Sequence, residues 1–167
     1  MDIGTTIVGI IIIAVCVGSL VLMSRNNKSK QNNLKKSLVN IAMHNHCELT
    51  HSGACGNVAI GMDAAKRKLF FVRKKKEESF SRMLDLDGLE KVYVVNHSRT
   101  AGEKGELTAT DKLELIIAFR EKNKPDDKLE FYNVEDDSLR FMGEMQMIEK
   151  WNGILNRFVS GDSKDML

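Results

Sequence analysis

Residues Ile3 to Met23 read IGTTIVGIIIIAVCVGSLVLM, with no charged side chain and only three hydroxyl residues. At ~1.5 Å of rise per residue, a helix of that length crosses the ~30 Å hydrocarbon core of a bilayer. Residues 1–24 are therefore expected to form a single transmembrane anchor, and no later stretch is as long and apolar. Only Asp2 precedes it, whereas Arg25, Lys28, Lys30, Lys35 and Lys36 follow. The positive-inside bias then puts the amino terminus outside and the rest on the cytoplasmic face of a plasma or inner membrane.

Beyond residue 24 lie all 25 basic side chains and all but one of the 23 acidic ones, a net charge of +3. That balance does not suit a nucleic-acid binder, so no nucleic-acid partner is expected. The length suits one domain with its own core. Cys47 and Cys55 fall within it and, on a cytoplasmic face, are expected to be reduced.

Residues 25–33 are polar, basic and free of apolar anchors, which reads as a tether. A helical segment is expected over 34–52, because Leu34, Leu38, Ile41 and Ala42 recur at helical steps. Gly53 and Gly56 interrupt it. Around this boundary His44, His46, Cys47, His51 and Cys55 gather, ligand types for zinc. They support an alternative reading as a metal-binding or redox protein, although no second ligand pair accompanies them.

From Gly53 the period changes to two. Val58, Ile60 and Met62 alternate with smaller or polar neighbours, residues 63–66 turn, and Lys68 to Arg73 resume as a strand. Phe80, Leu84 and Leu86 share a face of the next strand, and Glu90 to Asn96 form another. His97 to Thr110 reads as a long exposed loop. Leu113, Leu115, Ile117 and Phe119 mark the clearest strand, and Leu129 and Phe131 lie on the last. A closing amphipathic helix is expected from the stripe Phe141, Met145, Ile148, Trp151, Leu155 and Phe158. Its start is placed near Glu135, Asp136 and Asp137, with Ser138 as the cap.

A meander of six or seven strands closed by a helix with a central Trp151 resembles the pleckstrin-homology-like fold, over roughly residues 50–160. The expected class is thus α+β: an amino-terminal transmembrane helix, then an antiparallel β-barrel or sheet domain at 53–160 with its closing helix, and a tail at 161–167. The resemblance implies that the helix plugs one open end and that loops at the other bind lipid headgroups or protein segments. It assigns a structural role to Trp151. It also points to the leading hairpin, where Lys66, Arg67, Lys68, Arg73, Lys74, Lys75 and Lys76 would meet anionic headgroups or a protein partner.

Enzymatic signatures such as GxxxxGK[ST], HExxH and GxSxG are missing from the sequence. The expected role is a binding or scaffold module at the inner membrane face, with a protein partner, no cofactor and no catalytic residue.

Overall fold

The computed structural model describes residues 28–76, 78–101, 107–121, 123–137 and 143–161. A first helix, α1, covers 28–44. Seven strands follow: β1 (His51–Cys55), β2 (Val58–Asp63), β3 (Lys68–Lys75), β4 (Glu78–Asp85), β5 (Leu89–Ala101), β6 (Leu107–Phe119) and β7 (Asp127–Asn133). The last element is α2 (Glu144–Ser160). All strands pair antiparallel with their chain neighbours, as a four-stranded sheet β1-β2-β3-β4 and a three-stranded sheet β5-β6-β7.

Strand alternation explains the main core. Ile60, Met62, Leu69 and Phe71 of the first sheet meet Leu113, Leu115, Ile117, Leu129 and Phe131 of the second, and α2 adds Ile148, Trp151 and Leu155. A register shift opposite Leu113 and Glu114 breaks the alternation of β7. Both Phe131 and Tyr132 are therefore buried in this core.

The other face of the first sheet is covered by α1. Leu34, Leu38 and Ala42 pack on Ala59, Phe70 and Val72 in a second cluster, so every residue of β2 is buried. The close approach depends on Gly61, where a Cβ would lie 3.0 Å from Leu38 and 3.1 Å from the His51 carbonyl oxygen. Asp63 then locks the corner: its carboxylate accepts the Lys66 amide at 2.9 Å and the Glu48 amide at 2.9 Å. Burial raises its pKa, yet these amide bonds outweigh that and hold it below the ordinary value.

The expected fold class is corrected on two counts. The strands divide into two sheets with no closed barrel, because β4 pairs only with β3, and β5 starts the second sheet after the turn at Gly88. No helix among the described residues is long and apolar enough to cross a membrane, which removes the support for the membrane and transmembrane assignments. The anchor expected at 1–24 lies outside the described residues.

Several boundaries also move. α1 already includes 28–33, assigned above to a tether, because a packed stripe propagates a helix into polar neighbours. It stops at 44 rather than continuing to 52. The expected loop His97 to Thr110 is largely strand, as Ser98 to Ala101 pair with Leu107 to Thr110. α2 starts at Glu144 after Gly143, whose φ of 105° suits glycine. The cap expected at Ser138 and the stripe residue Phe141 lie outside the described residues.

Candidate functional site

An unpaired strand edge is a ready surface for another chain, so the edges of the two sheets are the places to look. On β5, Asn156 of α2 occupies the edge: its Nδ2 donates to the Val92 carbonyl at 2.8 Å, and its Oδ1 accepts the Val92 amide at 3.1 Å. On β7, Arg73 Nη1 donates to the Glu130 carbonyl at 3.2 Å, and the Asn133 amide donates to Asp137 at 2.8 Å. β1 is only five residues long, and its Gly53 sits against Trp151.

β4 is different. From Glu78 to Met83 all six residues are exposed, so neither face of the strand is covered there. Among the described residues, no backbone hydrogen bond reaches it except from β3. Phe80 and Met83 are each 48% exposed. Phe80, expected to share a face with Leu84 and Leu86, is exposed where those two are buried.

Between β4 and β7 the corner opens into a cleft of about 480 Å³, floored by Phe71 and Phe80 and edged by Arg82, Lys75, Lys112 and Lys128. The volume is within the range of ligand sites. At one side Arg82 spans the gap to Asp127 at 3.3 Å and lies over the Phe80 ring at 5.3 Å. The deep side is closed by ion pairs. Arg73, 1% exposed, reaches Glu130 at 3.1 Å and Asp137 at 2.9 Å. Lys75 meets the same Glu130 at 2.7 Å and Asp136 at 3.1 Å. Lys112 joins Glu130 at 3.2 Å to Glu114 at 2.7 Å, and His97 caps the chain 3.1 Å from Glu114.

These contacts have a titration consequence. Burial pushes the Glu130 carboxyl upward, but the Lys75 hydrogen bond with the Arg73 and Lys112 charges outweighs it, leaving the pKa below 4.5. Glu114 behaves alike: burial raises it and Lys112 and His97 bring it below 4.5. Hydrogen bonds to Glu130 and Glu114 raise Lys75 and Lys112 respectively above 10.5. Carboxylates held low stabilise the fold above their unfolded pKa and lose that contribution as pH falls through the folded value. Lysines held high stabilise it below 10.5 and lose that contribution as pH rises through theirs. The urea midpoint is expected to be flat near neutrality, to fall below about pH 4.5, and to fall again above about pH 10.5. Lys75→Met should remove part of the alkaline decline; an unchanged alkaline arm would show that this lysine is solvated.

The seven basic candidates do not form one patch. Lys66, Arg67 and Lys68 sit at one end of β3 and Arg73 to Lys76 at the other, and the Lys68 to Lys75 span is ~23 Å at strand rise. Most are also engaged. Lys66 donates to the His46 carbonyl, Arg67 pairs with Asp87 at 2.7 Å and lies 4.8 Å over Phe158, and Lys68 pairs with Asp85. Arg73 is buried and Lys75 is bridged, which leaves Lys74 and Lys76 with no ion pair among the described residues.

The His and Cys candidates separate as well. The end of α1 is a Schellman turn: His46 takes φ 55°, its amide donates to Met43 at 2.9 Å, and the Cys47 amide donates to Ala42 at 2.8 Å. Cys47 is then buried in the α1 cluster, while His44 is exposed. His51 and Cys55 stand at opposite ends of β1. Burial, with the Glu144 charge, raises the Cys55 thiol to about 11. No group of three or more His, Cys, Asp or Glu able to hold a metal occurs among the described residues.

Sequence reasoning missed Asn156, Phe80 and the acids that meet Arg73. A lone Asn on a helix and an acidic run before one carry no local signal of the strand they will touch. Phe80 was visible only as one more apolar position. Neither a protein-family model, nor a curated protein, nor a solved structure matches the chain.

Proposed function

We propose that this chain is a binding and scaffold module that docks an extended protein segment along β4. The observation that carries this reading is the double exposure of Glu78–Met83 on a strand whose outer edge has no backbone partner among the described residues. A segment laid there gains main-chain hydrogen bonds, the source of affinity in strand addition, and places alternate side chains on Phe80. The cleft beside it, with Phe71 and Phe80 at its floor and both signs of charge in its lining, Glu78 as well as Arg82 and Lys128, is ready for side chains of the guest.

The test is selection from a displayed library of random linear peptides. Selected peptides are expected to protect β4 amides from hydrogen exchange and to bind Phe80→Ala about tenfold more weakly or worse, as for a central aromatic anchor. Since Phe80 is half exposed, the variant should fold normally. Equal binding to the variant, or protection elsewhere with β4 unchanged, would sink the reading.

A further inference from the structure

We propose that the segment docked on β4 is the β4 of a second copy of this chain, joined antiparallel about a twofold axis at Phe80. The inference rests on the edge-docking reading above and names its occupant.

The argument comes from the order of side chains along the strand. Glu78, Phe80 and Arg82 alternate onto one face, and Ser79 and Ser81 onto the other. In an antiparallel pair centred on Phe80, Phe80 faces its own counterpart. Each Glu78 then lies opposite Arg82 of the other copy, and each Ser79 opposite its Ser81. Aromatic–aromatic, opposite-charge and hydroxyl pairs are the three cross-strand combinations that stabilise an antiparallel ladder.

A one-residue shift of the axis destroys the match. Centred on Ser81, Phe80 faces Arg82, Ser79 faces Met83 and Glu78 faces Leu84. Centred on Ser79, Glu78 faces Phe80. The Phe80-centred register alone among these satisfies both charges, so the strand specifies its own alignment. The contact is isologous, as twofold interfaces require, and it joins the two four-stranded sheets into one continuous sheet. Among the described residues Arg82 has one ion-pair partner in its own chain, the half-buried Asp127 at 3.3 Å, and its own half-exposed side chain is placed to meet a second carboxylate.

Sedimentation of the purified full chain tests this by charge reversal. The unaltered chain is expected to show a concentration-dependent monomer–dimer equilibrium. Glu78→Arg alone and Arg82→Glu alone each place two like-charge pairs in the dimer and should weaken it at least tenfold. The double variant restores both pairs and should recover the dimer, and a mixture of the two single variants should form a heterodimer. All positions are exposed, and circular dichroism of each variant checks the fold. A chain that stays monomeric at every concentration overturns the second copy as occupant while leaving the peptide selection as a separate test of edge docking. A dimer indifferent to the reversals, or weakened by them but not restored in the double variant, overturns the Phe80-centred pairing.

Discussion

Trp151→Ala is expected to lower the unfolding free energy by about 3 to 5 kcal/mol, the usual range for a truncated core aromatic. Trp151 is 2% exposed and sits between Ile148 and Leu155 on the buried stripe of α2. On the sheet side its indole nitrogen lies 3.4 Å from where a Cβ on Gly53 would stand, so a glycine in β1 makes room for the ring. Removing the ring leaves a void with a rigid strand on one side and the helix backbone on the other, which limits collapse. Urea unfolding measures the loss. A change under about 1 kcal/mol, or a water-like emission maximum in the folded protein, would show that the ring does not seal the core.

Arg73→Ala should cost a similar amount, about 3 to 5 kcal/mol, for a different reason. The guanidinium is buried beside Glu130 and Asp137; its loss leaves Asp137 with no ion-pair partner among the described residues and Glu130 with Lys75 and Lys112 alone. Asn57, which donates to Asp137 at 2.7 Å, cannot replace a charge. Arg73→Lys should rescue only a part. One ammonium cannot span the Glu130 carbonyl and both carboxylates, which the arginine engages through its two terminal nitrogens. Near-complete rescue by lysine in urea unfolding would mean that charge alone matters at this site.

Both residues show how far local pattern carries. β2, β3 and β6 were legible because their alternation is set by burial on at least one face, and the Trp151 stripe because helical spacing survives a weak propensity. β1, HSGAC, has no branched or aromatic residue, and its pairing with β2 comes from the neighbour rather than from itself. Arg73 read as part of a solvated basic run since three lysines follow it. Its acids lie 57 to 64 positions away, at Glu130 and Asp137, a separation no local pattern encodes. The closed barrel failed for a related reason. Whether the last strand of one sheet pairs with the last of another depends on strand reach and corner packing, and here side chains such as Arg82 and Asp127 span a gap that backbones do not close.

The covering of β2 and β3 on both faces divides the interior into two cores with a shared wall. Phe70 and Phe71 are adjacent in sequence, yet one belongs to the α1 cluster and the other to the larger core under α2. Local opening follows cooperative units rather than chain position. The smaller cluster is built from residues 34 to 72 and is nearly local in sequence, so lifting α1 strips one side of the wall while the opposite side stays sealed. A fold with this construction has two thresholds of loosening, and the wall's own amides register only the higher one.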